Sequence, residues 1–310
     1  MKNILIIGGS YFAGRIFVEE LLREKKYNVF VYNRGNIPLK KEGVTELVGD
    51  RNNADRIKQV IPDKQWDALI DFCAYTPDEI EIVLNSLPGT LKHYIFISTT
   101  TVNQNVLDLP IDEDALKLVG PQSELGPYAD YGYNKWMTEC RLKKLCEEKG
   151  VWCTSLRPAI IYGEYNYAPR ESYFFDLIRN NETVVLPDNE LPLYSFLYVV
   201  DLAKIIIKTL CNPEVFGRVF NVSAPELVSY RRMMEVFEEI IGKKITTRRM
   251  HMGDINRKKI PLPFPLDTHL IYSGVGIQNL LGFEYTPFVK GMRRTYEYYL
   301  LVQKHRKRSE

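Results

Sequence analysis

The first twenty-four residues restrict the fold more than any other stretch. Asn3-Ile4-Leu5-Ile6-Ile7 is a short apolar run, Gly8-Gly9-Ser10-Tyr11-Phe12-Ala13-Gly14 follows it, and Arg15 to Glu24 is amphipathic. Strand, glycine turn and helix in that order suit a dinucleotide pyrophosphate. Glycine lets the backbone come close, and the helix N-terminus offers N–H groups to the phosphates. Further on, Tyr131-Gly132-Tyr133-Asn134-Lys135 sets a phenol and an ammonium one helical turn apart on a shared face. A base and the cation that tunes it, near a nicotinamide, are parts for hydride chemistry.

Strand-like and helix-like runs alternate through the first half. Strands are expected at 29–32, 44–47, 68–72, 94–97 and 152–157, and helices at 77–87 and 131–149, the last closed by Gly150. Such alternation predicts an α/β fold, a doubly wound parallel sheet of Rossmann type with a smaller α+β substrate lobe. The dinucleotide-binding domain is expected over 1–163, with 196–228 returning to it. The substrate-binding lobe is expected over 164–195 and 229–310. Parallel sheets bind ligands at the carboxyl ends of their strands, and the informative residues fall there: Gly8–Gly14, Asn33-Arg34, Asp50, Ala74-Tyr75, Ser98–Thr101 and Pro158–Gly163. After Gly163 the pattern loosens. Residues 164–195 are rich in Tyr, Asn, Pro and Arg, residues 250–268 read as loop, and a last helix is expected over 289–302.

Composition removes several function classes. The 41 basic and 39 acidic residues leave a net charge of +2, so no global field draws the chain to nucleic acid. No apolar run approaches the ~20 residues that span a bilayer, and the opening strand is too short for a signal peptide. Five cysteines with no Cys-x-x-Cys read as reduced core thiols of a cytoplasmic protein. Four scattered histidines show no ligand spacing, so no metal is expected. The basic end, 304–308, reads as a frayed, solvated tail.

The ordered set of motifs resembles the extended short-chain dehydrogenase/reductase superfamily, in its NAD(P)-dependent epimerase/dehydratase family. The markers are Gly8 to Gly14, Gly49-Asp50-Arg51, Ser98-Thr99-Thr100-Thr101-Val102, Tyr131 with Lys135, and Leu156-Arg157-Pro158 with Tyr162-Gly163. They continue with Tyr198-Val199-Val200-Asp201, Phe220-Asn221-Val222-Ser223 and Leu280-Leu281-Gly282-Phe283. The resemblance implies Tyr131 as acid/base, Lys135 as the cation that lowers its pKa and binds the nicotinamide ribose, and Thr99 as the hydroxyl on the reacting oxygen. A free phenol ionises near pH ~10, so such tuning is required. Gly8, Ser10, Tyr11, Phe12, Gly14, Asn33, Arg34, Asp50, Arg51, Ala74, Lys135 and Pro158 would hold the cofactor, with Asp50 on the adenine amine.

Two departures carry information. Tyr11 replaces the middle glycine of the turn, as in the Gly-Gly-Thr-x-Phe-x-Gly variant of the superfamily. Where NAD enzymes place a carboxylate after the second strand, this chain has Asn33 and Arg34, which favours NADP over NAD.

Dehydratases of the family carry Asp-Glu after the catalytic threonine. Thr100 and Thr101 stand there, and neutral hydroxyls argue against dehydration. Ile160 replaces an asparagine common in sugar-nucleotide members. The substrate is expected to be a small molecule, possibly a sugar nucleotide, touched by Thr100 and by Arg170 on its diphosphate. Epimerase and reductase both remain open. So does a second class, because Gly-Gly-Ser-x-Phe and Asn33-Arg34-Gly35 also resemble a branch that includes chloroplast RNA-binding proteins, and a cofactor-sensing protein would need the turn alone. A homodimer is expected through helices 77–87 and 131–149, with Ile80, Trp136, Met137 and Cys140 at the contact.

Overall fold

Seven strands, all paired in parallel, build the main sheet. Their order across it is Val219–Val222, Trp152–Pro158, His93–Ile97, Ala68–Asp71, Lys2–Ile7, Tyr27–Asn33 and Val44–Val48. The computed structural model describes residues 1–309, with side chains described through residue 305. The chain runs outward from Lys2–Ile7 through two strands on one side, then returns to Ala68–Asp71 on the other. That reversal makes a crevice beyond the carboxyl ends of Lys2–Ile7 and Ala68–Asp71.

The central strands are fixed by runs of β-branched or large apolar residues. Ile4, Leu5, Ile6 and Ile7 are at most 2% exposed, and each such burial stabilises the fold by ~1.5–3 kcal/mol. Asn53 accepts a hydrogen bond from Arg56 N to start the helix Ala54–Val60. Pro77 opens Pro77–Ser86, where Glu79 reaches back to the backbone of Thr76. One core gathers Tyr32, Trp66, Leu69, Ile80, Val83, Tyr94, Phe96, Leu142 and Leu145.

The contacts divide the chain into two units. The first holds Met1–Ala159, Val200–Val222 and Tyr272–Glu284. The second holds Ile160–Val199, Ser223–Ile271 and the chain from Tyr285 onward. In the second, Tyr194–Tyr198 pairs in parallel with Ile160–Tyr162 and antiparallel with Leu227–Val228, while Val184–Pro187 pairs with Thr247–Met250. Its core is aromatic, with Phe174, Phe175, Phe237, Tyr230 and Phe264 in mutual ring contact.

Most elements expected from sequence form within a residue or two of their expected ends. The polar stretch 164–195, however, contains a helix, Glu171–Arg179, and the strand Val184–Pro187. The region read as loop contains the short helix Met252–Arg257. The terminal helix runs Phe288–Ser309, so the basic end is helical backbone rather than a frayed tail. The side chains of Arg306, Lys307 and Arg308 lie outside the described residues. Among the described residues no helix is long and apolar enough to cross a membrane.

His93 is a buried base with one satisfied nitrogen. Thr154 donates its hydroxyl to Val215 O, so His93 Nε2 must donate to Thr154 Oγ1 at 2.9 Å. Nδ1 is buried without a partner. Burial lowers the imidazole from 6.5 to about 3. In the unfolded chain it regains its ordinary value, so between these limits the unfolded state binds a proton that the fold refuses. Stability from this group is complete above pH 6.5 and is lost as pH falls toward 3. Urea unfolding between about pH 6.5 and 5 is expected to show a slope of up to ~1.4 kcal/mol per pH unit. His93→Gln should flatten that slope.

Candidate active site

The glycine turn packs at the limit of contact. A Cβ on Gly14 would lie 2.2 Å from Gly8 O, and Gly8 itself has φ +86. Only hydrogen at position 14 allows the helix Phe12–Arg23 to begin so close to the strand. Tyr11 occupies extended backbone (φ −140, ψ 148), which any residue adopts, and is 47% exposed. This is why a tyrosine replaces the middle glycine without cost. The left-handed strain moves to Phe12, φ 40, which is buried.

Beyond the next strand, Asn33 Oδ1 accepts from Gly35 N at 2.8 Å, which turns its amide nitrogen away; that Nδ2 is buried with no partner. Arg34 is exposed on the same turn. Asp50 is exposed, with Oδ1 accepting from Asn52 N at 2.9 Å. The cradle left by the glycines and the orphaned donor on Asn33 both fit a phosphate-bearing dinucleotide.

Arg51 is placed otherwise than the sequence suggests. Its guanidinium is 8% exposed and binds Asp71 through two parallel hydrogen bonds of 2.7 and 2.8 Å, with a third to Glu79 O. Asp71 also accepts from Tyr94 Oη and from the amides of Cys73 and Ala74. Burial pushes the Asp71 carboxyl up, but Arg51 and the other donors outweigh it and hold it below the usual carboxylate range. Ala74, fully buried, is thereby fixed by its amide.

The candidate reactive side chains come from the helix Tyr131–Lys149 and from the turn after the strand His93–Ile97. Tyr131 is the first residue of the helix Tyr131–Lys149 and is 38% exposed. Lys135 is 2% exposed, and its Nζ donates to Ile97 O at 2.9 Å. Burial lowers the ammonium to about 8, with Asp71 pulling the other way. Thr99 caps the turn Thr100–Val102, and its hydroxyl pairs with that of Thr101. Thr100 instead points inward and donates to Pro158 O at 3.4 Å, at the end of the neighbouring strand. In the second unit, Arg170 Nη1 donates to Ile161 O at 3.2 Å.

Two features are invisible in sequence order. A Cβ on Gly132 would lie 2.4 Å from Thr101 O, so this glycine lets the helix press against the turn that carries Thr99. Glu139, buried, binds Arg157 through Nε and Nη2 and accepts from the Ser98 hydroxyl. Tyr75 also enters the site, its ring centroid 6.1 Å from that of Tyr131. Its local signal was the Thr-Pro-x-Glu start of the helix that follows it.

A parallel sheet with a glycine turn at its reversal and a Tyr-x-x-x-Lys helix beside it is a Rossmann-type arrangement. The model of the NAD dependent epimerase/dehydratase family matches residues 80–223, a little under half of the chain. The chain is 27% identical to the chloroplast stem-loop binding protein of 41 kDa b from Arabidopsis thaliana, over 91% of this chain and 75% of that protein. It is 24% identical to a UDP-glucose 4-epimerase from Vibrio cholerae, over 75% of this chain and 74% of that one. Among solved structures, UDP-glucose 4-epimerase from Thermotoga maritima, with UDP-glucose, shares the fold at a TM-score of 0.74. The identity there is 19%, with 97% of this chain and 99% of that one covered.

Gly132→Ala is expected to lose ~1–3 kcal/mol of stability in urea, despite the better helix propensity of alanine. Gly120→Ala, with nothing within 4 Å of its added carbon, should change little.

Proposed function

We propose that the chain is an NAD(P)-dependent enzyme that epimerises or reduces a hydroxyl or ketone carbon of a sugar nucleotide or related substrate. The observation that carries this is the buried Lys135 ammonium, anchored on Ile97 O one helical turn from the half-exposed phenol of Tyr131. A cation at that spacing would favour the phenolate that the base role requires. Tyr131 would take the proton of the substrate hydroxyl as its carbon is oxidised, and return one when the ketone is reduced. Thr99 would hold the reacting oxygen. The nicotinamide, when bound, accepts and returns the hydride. An epimerase re-reduces the ketone from the opposite face after the sugar turns; a reductase releases the product and the spent cofactor.

In this reading the pyrophosphate lies on the turn Gly8–Gly14, with Ser10, Tyr11 and Phe12 around it. Asp50 takes the adenine amine, and Ala74 and Pro158 line the cofactor. Arg51 acts from behind, through Asp71. Asn33 and Arg34 present donors and no carboxylate, which favours NADP. Arg170 would bind the substrate diphosphate. Thr100 and Thr101, with no carboxyl group to move a proton for water loss, keep the reaction away from dehydration.

The family description and the UDP-sugar epimerases among the relatives support the enzyme class. The five free cysteines accord with a cytoplasmic setting. A homodimer through the helices Pro77–Ser86 and Tyr131–Lys149 would use the exposed Met137 and Cys140. Ile80 is withdrawn from that contact, because it is buried in its own core. The stem-loop binding relative gives RNA as the competing ligand.

Mass spectrometry of the gently extracted protein, with NAD(H), NADP(H) and stem-loop RNA titrations on stripped protein, tests the reading. Tight retained NAD supports an epimerase, and preferential uptake of NADPH a reductase; RNA binding with neither dinucleotide overturns both. Against a panel of UDP-sugars, Tyr131→Phe is expected to lower kcat by about 10²–10⁴-fold with cofactor affinity unchanged.

A further inference from the structure

The capping of the helix Pro77–Ser86 fixes more than the helix. Glu79 Oε2 accepts from Tyr75 N at 2.5 Å and from Thr76 N at 3.1 Å, which sets the point where the Tyr75 side chain leaves the backbone. The Tyr75 ring then lies with its centroid 4.8 Å from Lys135 Nζ. Phe96, from the strand His93–Ile97, presents a second ring at 4.8 Å. The ammonium therefore meets one carbonyl and two aromatic rings. Tyr75 is 47% exposed and Lys135 only 2%.

A buried ammonium needs such partners. Water solvates the charge in the unfolded chain, and one carbonyl does not replace that shell. Ring quadrupoles attract a cation, more strongly where water is excluded. The other charged or titratable neighbours act at longer range and in both senses. Asp71, Cys73 and Glu79 favour the ammonium and Arg51 opposes it. The Cys73 thiol is pushed by burial to about 11, so near neutral pH it carries no charge to help. Tyr131, one turn earlier on the same helix, has its ring beside that of Tyr75.

We propose that Tyr75 is a positioning residue for the Lys135–Tyr131 pair: its ring holds the Lys135 ammonium on the Ile97 carbonyl in charged form and so sets the upper pH at which the pair works. The proposal rests on the reading of Tyr131 and Lys135 as the catalytic pair. The ring is the active part, and the phenol hydroxyl is dispensable. Phe96 is built into the sheet core, whereas Tyr75 stands half-exposed on the loop before the helix Pro77–Ser86, where a substitution removes little core packing.

The test uses full-length protein labelled with [ε-¹³C]lysine, free of ligand, with the Lys135 resonance assigned by its loss in Lys135→Met. Titrated between about pH 6 and 11, wild type and Tyr75→Phe are expected to share a midpoint, and Tyr75→Leu to fall by about half a unit to one unit. NADPH affinity measured against pH should lose its alkaline side earlier in Tyr75→Leu and keep it in Tyr75→Phe. A Tyr75→Leu midpoint equal to wild type overturns the proposal, as does a Tyr75→Phe protein that behaves like Tyr75→Leu. Failure of wild type to bind either dinucleotide would sink the catalytic reading, while the lysine titration would still judge the ring contact.

Discussion

The Asp71 carboxylate is the contact on which the nucleotide end of the protein depends. It accepts two hydrogen bonds from Arg51, one from Tyr94, and one each from the amides of Cys73 and Ala74. These donors come from the turn after the strand Val44–Val48, from the strand His93–Ile97 and from the loop beyond Asp71 itself. Arg51 also reaches Glu79 O in the helix Pro77–Ser86. A fully buried charge with one partner removed costs ~3–5 kcal/mol, so the cluster holds as a unit. Its consequence lies one layer out. The loop it fixes runs against the glycine turn, where Cys73 Sγ would be 3.0 Å from any Cβ on Gly8. The same loop delivers Tyr75 to Lys135.

A second buried pair, Glu139 with Arg157, does the same for the side chains proposed to react. Residues 131, 135 and 139 follow one face of a single helix at one-turn spacing. Their exposures, 38%, 2% and 5%, pass from solvent to core. Tyr131 is half-exposed, Lys135 is buried on Ile97 O, and Glu139 ties the helix to Arg157 on the strand Trp152–Pro158 and to Ser98 beside Thr99. Glu139 thus locks together the two elements that carry the phenol and the threonine. Gly132 sets how close they come. The proposed base, its proposed tuning cation and the buried anchor are stacked along one helix, and a shift of that helix moves all three.

Legibility followed the range of the forces involved. The strands of the first half were readable because Val, Ile and Phe cluster where both faces are buried, and the helices because Pro77 and Gly150 mark their ends locally. The helix Glu171–Arg179 escaped because its apolar face, Phe174, Phe175 and Ile178, gains order only by packing on Phe237, Tyr296 and Tyr299, all distant in sequence. At the candidate site, the Tyr-x-x-x-Lys spacing within the ordered set of motifs is what singled out Tyr131 and Lys135. It could not show that Arg51 turns inward to Asp71 or that Thr100 turns to Pro158, since both depend on partners supplied by other strands. Tyr75 lay among the strand-end residues, but its role follows from where a ring points, which periodicity does not encode.

The cofactor preference proposed here reduces to the identity of one atom. Gly35 N fixes Asn33 Oδ1, so the side chain has no freedom to exchange its oxygen for its nitrogen. What remains is a buried N–H donor with no acceptor in the protein. Leaving such a donor unpaired costs about 1–3 kcal/mol, so a ligand oxygen placed there recovers that amount on binding. A carboxylate would sit in the same bond to Gly35 N and offer an acceptor at the same point. It would favour ribose hydroxyls and repel a 2′-phosphate. The backbone of the turn is therefore neutral between the two cofactors. On the proposed reading the choice would lie in a nitrogen for an oxygen at Asn33, with the guanidinium of Arg34 one residue on.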